Sequence, residues 1–388
     1  MTQNRIPFAK PCFLDEDIKG ITEKIAKVLH SGWLTDGPFV QQFEEEFASF
    51  IGAENAVGLN SCTAALHATL CALGLGAGDE IIVPSDTFVA TANVALYVGA
   101  KPIFVDSDPE TFTISTDDIE RKITKRTKAI IAVHLGGNPC DMKEIQEIAE
   151  DNKLIVIEDC AHAHGSEYEG KKCGTLGIAG CFSFYPTKVM TCVEGGIVTT
   201  DDEHLATKIR TIKNHGRSAF GPTEITELGY NYRLSDVHAA VGLEQLKHIH
   251  EYVRHRNSIA ELYDHGFVKF DWISPQLVRR GNLSSYYAYI VRLNNNAPIE
   301  RDELVTELRQ RGIGTSVLYH PVHLQPLYVQ KLGFGHECLP VAEDLGKRTV
   351  ALPMHNQLSL EEAENVLESI KQIAENIPRM DVEATLRV

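Results

Sequence analysis

Short apolar runs alternate with stretches of helical periodicity through the first two-thirds of the chain. Between the runs lie patterns such as residues 142–152, where Ile145, Ile148 and Ala149 recur at helical spacing. Several runs are apolar throughout, which is typical of strands buried on both faces of a mostly parallel sheet. The pattern therefore predicts an α/β fold. The predicted strands are residues 80–83, 103–106, 129–133, 154–159, 181–184 and 197–200.

Further helices are predicted at both ends of this alternating region. Apolar residues recur on one face of residues 16–30, and the pair Ser31-Gly32 would end that helix. After about residue 244 the pattern changes to amphipathic helix with little strand, which predicts a smaller α+β domain. The remaining predicted elements are helices at residues 64–73, 300–311 and 360–377 and a strand at residues 287–293.

The length of 388 residues is sufficient for two domains. We expect a large domain at residues 1–250 and a small C-terminal domain at residues 251–388. The first 35 or so residues are expected to pack against the small domain or a partner subunit. A mostly parallel seven-stranded sheet flanked by helices would form the large domain.

Composition and charge exclude several classes of protein. No apolar run approaches the roughly 18 residues that span a bilayer, and the first seven residues lack the apolar stretch of a signal peptide. A net charge of −16 disfavours a nucleic-acid-binding surface. Nine cysteines without a CxxC pair suggest neither a disulfide framework nor a zinc ribbon. We therefore expect a cytoplasmic protein that binds neither nucleic acid nor membrane.

Lys188 and Asp159 are the residues that first suggest chemistry. Asp159 ends an apolar strand, and Lys188 follows another one 29 positions later. Pyridoxal phosphate (PLP) needs a lysine to hold it as a Schiff base and a carboxylate to keep its ring nitrogen protonated. Taken singly, the lysine would be a solvated side chain and the aspartate a helix cap or turn residue. Together, they make a PLP site the stronger interpretation.

Three other features gain meaning only beside that pair. The polar loop at residues 60–63 precedes a helix, so it is either an ordinary N-cap, formed by Ser61 or Thr63, or a phosphate site. His162 could stack on a cofactor ring. A metal site at His162 and His164 is disfavoured, because no carboxylate or cysteine has convincing spacing. Phe88 would pack either in the core or against a planar cofactor.

At the level of whole motifs, the chain resembles the DegT/DnrJ/StrS-type sugar aminotransferases. These are PLP enzymes of the aspartate-aminotransferase fold, also called fold type I. The resemblance covers nearly the whole chain. The segments that carry it are residues 31–38, 43–44, 61–67, 78–84, 99–106, 158–162, 183–188 and 229–233.

The resemblance implies a role for each matching residue. Lys188 would bind PLP covalently and then transfer protons, and Asp159 would pair with the pyridine nitrogen. Phe88 and His162 would flank the ring. The residues expected to hold the phosphate are Cys62, Thr63 and Ser183, with Asn231 reaching it from the neighbouring subunit of a homodimer. The residues expected on the nucleotide-sugar side are Trp33, Arg233, Tyr319, His320 and His323.

Two positions depart from the family pattern. Cys62 stands where glycine is frequent, and its amide can serve the phosphate only if the local dihedral angles permit. Val193 precedes Glu194-Gly195-Gly196 at a position where glycine is usual, so the geometry of that turn is in question. Neither departure affects Lys188.

The activity that the resemblance implies is transfer of an amino group from L-glutamate to the keto-sugar of a nucleoside diphosphate, in amino-sugar or surface-polysaccharide biosynthesis. Dehydratase relatives carry histidine in place of Lys188, so the lysine favours an aminotransferase. Residues 33–38 and His162 resemble members that act on 4-keto-6-deoxy sugars. Aminotransferases of 3-keto sugars or cyclitol ketones and aminohydroxybenzoate synthases share the motifs. A non-catalytic binding or regulatory protein is disfavoured by the presence of both Lys188 and Asp159.

Overall fold

The computed structural model of the chain describes residues 5–217, 224–336 and 338–376. Helices form where the sequence predicts them, and their ends follow ordinary capping chemistry. Gly32, for example, ends the first helix in a left-handed conformation with φ 69°. The helices are α1 (Asp15–Ser31), α2 (Pro38–Ile51), α3 (Cys62–Ala72), α4 (Ala90–Tyr97), α5 (Thr116–Lys122), α6 (Met142–Asn152), α7 (Glu203–Lys213), α8 (Asp236–Leu246), α9 (Ile249–Phe267), α10 (Arg301–Gln310), α11 (Pro326–Leu332), α12 (Pro340–Arg348) and α13 (Leu360–Asn376).

The strands confirm the predicted α/β class. Each of the six predicted strands of the large sheet is present with its bounds shifted by two residues or fewer. The strands are β1 (Asn55–Leu59), β2 (Glu80–Pro84), β3 (Lys101–Val105), β4 (Thr127–Val133), β5 (Ile155–Asp159), β6 (Glu167–Tyr168), β7 (Lys171–Lys172), β8 (Ala179–Ser183), β9 (Gly196–Thr200), β10 (Ile273–Pro275), β11 (Tyr289–Leu293) and β12 (Thr349–Leu352).

Seven strands form the central sheet in the order β1-β9-β8-β5-β4-β2-β3. Strand β9 runs antiparallel to both β1 and β8, and the other neighbouring pairs are parallel. The mostly parallel seven-stranded sheet is thus confirmed. Strand β1 was not predicted, because Asn55–Leu59 is short and includes a glycine, which weakens the pattern of a strand.

Helices cover both faces of the sheet, which explains why the strands lack polar alternation. Ile81 and Ile131 pack in one apolar cluster with side chains of α3, α4 and α7. Their neighbours Ile82 and Ile130 pack in another cluster with α5 and α6. Successive residues of a strand point to opposite faces, and here both faces are buried.

The C-terminal part contains an antiparallel sheet of order β10-β11-β12. Its apolar core also takes residues from α9, α10 and α13. Helix α9 begins at Ile249, so it crosses the predicted boundary at residue 250. The division into two domains stays a proposal.

The described N-terminal segment contacts both parts of the chain. Ile6 pairs with Ile313, and Phe8 O accepts from Met354 N. Helix α1 packs on α8. Its predicted apolar face is only partly covered, since Ile18 is 52% and Leu29 63% exposed.

No helix in the described ranges is both long and apolar enough to cross a membrane.

Candidate active site

Asp159 lies at the carboxyl end of β5, where ligands of parallel α/β sheets bind. Its Oδ2 accepts a hydrogen bond from Thr91 Oγ1 at 2.8 Å, and its Oδ1 accepts one from Ala161 N at 3.1 Å. Burial raises the pKa of Asp159 above its ordinary value, although these two donors and the charge of Lys188 act in the opposite direction. A cation beside this carboxylate would therefore be strongly favoured.

Lys188 lies in the loop that joins β8 to β9. The loop is closed by hydrogen bonds from Phe184 N to Gly195 O at 3.0 Å and from Lys188 N to Tyr185 O at 2.9 Å. The half-buried Lys188 side chain is near enough to Asp159 for its charge to lower the pKa of that carboxyl. The structure therefore brings together the lysine and the aspartate that the sequence separates by 29 positions.

The amino end of α3 faces the same site. Ser61 is the N-cap, because its Oγ accepts from Ala64 N at 3.1 Å. In the described part of the chain, the amides of Cys62 and Thr63 have no hydrogen-bond acceptor. A Cβ on Gly196 would lie 2.3 Å from the carbonyl of Ser61, so only glycine allows β9 to approach this closely. Two free amides at a helix N-terminus suit a phosphate.

The two departures from the family pattern have clear local structures. Cys62 is the first residue of α3, a helical position that does not need glycine, and its Sγ donates to Cys181 O at 3.4 Å. Val193 has φ 74°, a left-handed conformation that a β-branched residue rarely adopts. This conformation explains why glycine is usual at that turn.

His162 is buried and forms a short network. Gly136 N donates to its Nδ1 at 3.3 Å, and its Nε2 lies 3.3 Å from the hydroxyl of Tyr319. Burial, and then the charge of Lys188, lower the pKa of His162 well below its ordinary value. A neutral ring with an accepting Nδ1 carries its proton on Nε2. His162 therefore donates to Tyr319 Oη, which leaves the phenolic proton available to another acceptor.

Tyr287 is a site residue that the sequence did not reveal. Its ring stacks on that of His162, with centroids 3.9 Å apart and planes 15° apart. Lys188 Nζ lies 4.5 Å from the centroid of the Tyr287 ring. The sequence pattern assigned Tyr287 to a strand of the smaller domain, and nothing local connects it with Lys188.

These groups fit pyridoxal phosphate. The cofactor carries a ring nitrogen that gains a positive charge, an aldehyde that reacts with an amine and a phosphate. Asp159 matches the nitrogen, Lys188 the aldehyde, and the free amides of Cys62 and Thr63 the phosphate. Ser183 ends β8 and is 9% exposed, close to the same sheet edge.

Phe88 and two of the predicted substrate residues line a cleft of about 400 Å³. Phe88 is 56% exposed, and its ring centroid lies 5.9 Å from that of Tyr319. His320 is exposed beside them. Aromatic faces together with hydrogen-bonding groups are a suitable surface for a sugar ring or a planar cofactor.

His323 does not line this cleft. The ring is fully buried, with Nδ1 2.6 Å from Ser85 Oγ and Nε2 3.4 Å from Glu343 Oε1. Because both ring nitrogens have partners inside the protein, the structure gives no support to a direct contact with substrate. We reinterpret His323 as a residue that fixes the segment carrying Tyr319 and His320.

Asn231 and Arg233 lie beside the end of β1 that leads into α3, whereas Trp33 lies beside Gly37 at the start of α2. Trp33 is 60% exposed, and Asn231 is also exposed. The carbonyl of Asn231 accepts from Asn60 Nδ2 at 3.3 Å, and Arg233 donates to Asn214 Oδ1 at 2.9 Å. Asn231 therefore contacts its own chain one residue before the cap of α3. Its expected reach to a partner's phosphate stays a prediction.

A second histidine network lies beneath the site. His134, Glu158 and Cys160 are near enough to one another for a metal ion. Glu158, however, already accepts from His134 Nε2 at 3.0 Å, and also from the amides of Gly174, Leu176 and Gly177. A carboxylate with four donors needs no cation, so we interpret the group as internal support for β5.

Asp86 is a further buried acid that the sequence did not reveal. Its Oδ1 accepts from Tyr319 N at 3.2 Å, which ties Tyr319 to the end of β2. Burial, and to a smaller extent the charge of Asp106, raise the pKa of Asp86 to about 8. Asp86 is therefore protonated at neutral pH.

We expect Asp86→Asn to stabilise the protein above neutral pH. Between the ordinary carboxyl pKa of about 4 and pH 8, the folded state keeps a proton that the unfolded state has released, so stability falls as pH rises. Asparagine removes this dependence and still accepts from Tyr319 N. The gain should be on the order of a few kcal/mol at pH 8. Thermal unfolding from pH 5 to 9 measures it, with Glu120→Gln as an exposed control. An equally steep decline in the variant would contradict the assignment.

Comparison with known proteins agrees with this site. The model of the DegT/DnrJ/EryC1/StrS aminotransferase family matches residues 15–371. The chain is 40% identical to the GDP-perosamine synthase of Escherichia coli O157:H7, covering 90% of this chain and 94% of that protein. It is 39% identical to the Bacillus subtilis spore coat polysaccharide biosynthesis protein SpsC, covering 96% and 99%.

A solved structure shares the fold over almost the whole chain. Spr1654 from Streptococcus pneumoniae, in its PLP form, superposes with a TM-score of 0.90 at 32% identity, covering 96% of this chain and 100% of that one. The family match, the shared fold and the proximity of Lys188 to Asp159 all indicate the same kind of enzyme. The chain belongs to the DegT/DnrJ/EryC1/StrS aminotransferase family and is a PLP-dependent aminotransferase.

Proposed function

We propose that this enzyme transfers the amino group of L-glutamate to the ketone of a 4-keto-6-deoxy sugar carried on a nucleoside diphosphate. The observation that supports a nucleotide-sugar substrate is the 40% identity with a GDP-perosamine synthase over 352 residues. The choice of a 4-keto-6-deoxy sugar rests on the resemblance of residues 33–38 and His162 to members that act on such sugars. The similarity to SpsC supports a product used in surface polysaccharides.

The arrangement of the site suits the two substrates in turn. Bound PLP supplies the electron sink that allows a proton to leave the carbon bearing the amino group. Lys188 is the base and acid that moves this proton, because its half-buried amine is held on a closed loop, near enough to Asp159 for its charge to lower the pKa of that carboxyl. His162 directs its own proton to Tyr319, so the Tyr319 hydroxyl can donate to an oxygen of the bound substrate.

We further propose a homodimer with shared active sites in the cytoplasm. Two large side chains of the loop that carries Lys188 are half-exposed, Tyr185 at 48% and Val193 at 46%, and Trp33 is 60% exposed. A second copy of the chain would cover them and bring its own Asn231 close to the phosphate. All nine cysteines are free thiols, which fits a reducing compartment.

Transfer of labelled nitrogen tests the sugar. The enzyme is loaded with PLP and [15N]glutamate, then offered 3-keto and 4-keto sugars on UDP, GDP and dTDP, together with a cyclitol ketone. We expect mass spectrometry to find 15N in a 4-amino-6-deoxy sugar nucleotide. The matched control is Lys188→Ala, which should transfer none.

Other outcomes would replace the proposal. If only a 3-keto sugar or a cyclitol ketone were labelled, that class of ketone would replace the 4-keto-6-deoxy sugar as the proposed substrate. Failure of glutamate with success of another amino acid would change the donor alone. Absence of transfer from every amino acid, with PLP firmly bound, would indicate a binding protein.

A further inference from the structure

Tyr287 contacts the catalytic lysine and the residue that precedes it. Its ring centroid lies 4.5 Å from Lys188 Nζ, and its hydroxyl lies 3.2 Å from Oγ1 of the preceding residue, Thr187. In the described part of the chain, Lys188 Nζ has no hydrogen-bond acceptor and no carboxylate within salt-bridge distance. The aromatic face is thus the group that the ammonium meets, and a buried aromatic ring attracts a cation through its quadrupole.

The position of Tyr287 is fixed from behind by Arg256. This arginine is 2% exposed. Its guanidinium donates to Tyr286 O at 2.9 Å, Tyr287 O at 3.3 Å and Met354 O at 3.2 Å. A buried cation bound by three carbonyls holds the backbone of Tyr287 rigidly.

Asn356 connects Arg256 to Val189, the residue that follows Lys188. Arg256 Nε donates to Asn356 Oδ1 at 2.7 Å, and Asn356 Nδ2 donates to Val189 O at 2.9 Å. Val189 directly follows Lys188. The residues before and after Lys188 are therefore tied to the same unit, which consists of Tyr287, Arg256 and Asn356.

We propose that Tyr287 is a positioning residue for Lys188, whose ammonium rests on the Tyr287 ring whenever the lysine is not joined to the cofactor. Arg256 and Asn356 hold the Tyr287 ring and the Lys188 segment in fixed positions relative to each other. During turnover Lys188 must be released and then return to the same place. The face of an aromatic ring attracts the cation but neither donates nor accepts a proton. The amine of Lys188 therefore stays available to react. The inference rests on the aminotransferase activity and is independent of the identity of the sugar.

Labelling of the cofactor-free protein tests the contact directly. Lys188 is acylated with a limiting amount of an amine-reactive reagent and quantified by peptide mass spectrometry, with the exposed Lys143 as an internal standard. Tyr287→Leu removes the ring that attracts the ammonium and should raise the labelling of Lys188 relative to Lys143 several-fold. Tyr287→Phe keeps the ring and loses only the hydroxyl contact with Thr187, so it should change the labelling far less. Equal effects of the two substitutions, or none from either, would overturn the proposal. Tyr287→Met fills similar volume without a ring and gives the same expectation should Tyr287→Leu fold poorly.

A double-mutant comparison separates positioning from general support of the site. In single turnover with an amino acid, we expect Tyr287→Leu to be slower by about tenfold, a usual size for a desolvated cation–π contact, and Tyr287→Phe to stay within about threefold. In a Lys188→Ala background rescued by an added small amine, Tyr287→Leu should have almost no further effect. A persistent tenfold loss there would show that Tyr287 acts through His162 or the cofactor and would refute the proposal.

Discussion

Lys188→Ala should lower turnover by about 10⁴-fold or more, because in the proposed mechanism one side chain serves as both the covalent anchor of the cofactor and the carrier of the proton. The protein should fold normally. Lys188 is half-buried and its amine has no hydrogen-bond acceptor among the described residues, so its removal leaves no partner unsatisfied. Steady-state rates measure the loss, and thermal unfolding checks the fold.

The matched control is Lys143→Ala, an exposed lysine on α6. It should retain full activity. Borohydride reduction of the PLP-loaded wild type, followed by peptide mapping, should place the mass of the reduced cofactor on Lys188. Recovery of that mass on another lysine would refute the assignment.

Much of the fold could be predicted, because burial on both faces leaves a strong pattern in each central strand. Strand β5 is an example, with Ile155–Asp159 reading as a continuous apolar run that ends in two acids. Strand β1 was missed because it is short and contains a glycine, and because its partner β9 lies about 140 positions away, where no local pattern reveals it. The extent to which α1 is buried could not be predicted from the sequence either, because it depends on what packs against Ile18 and Leu29.

The same distinction holds for the residues of the site: some are marked by the local sequence pattern, and others are recognised only from contacts between distant parts of the chain. Lys188 and Asp159 could be proposed from the sequence because Asp159 ends an apolar strand and Lys188 closely follows another, at a spacing that suits PLP. Tyr287 and Asp86 could not, since each acts through contacts with residues far along the chain. His323 shares a short segment with Tyr319, but the local turn directs its ring into the protein, so proximity in sequence misled the prediction.

Asp159→Asn should lower turnover by about 10²-fold or more while leaving the fold intact. The amide is nearly the same shape as the carboxylate. Its oxygen can still accept from Ala161 N, and its nitrogen can donate to Thr91 Oγ1, whose own proton can turn to Thr87 Oγ1 2.9 Å away. What the variant lacks is the negative charge that we propose stabilises a protonated ring nitrogen, an interaction that buried surroundings make strong.

Stability and activity should then change in opposite directions. Because burial raises the pKa of Asp159, the folded protein bears the cost of an ionised buried carboxylate as pH rises, and asparagine removes that cost. The cofactor-free variant should therefore melt no lower than wild type at pH 8, and its PLP should stay bound through Lys188 and the amides at α3. Thr91→Val, which removes one hydrogen bond and keeps the charge, should lose far less activity. Near-normal turnover in Asp159→Asn, or an equal loss in Thr91→Val, would show that hydrogen bonding rather than charge is what Asp159 contributes.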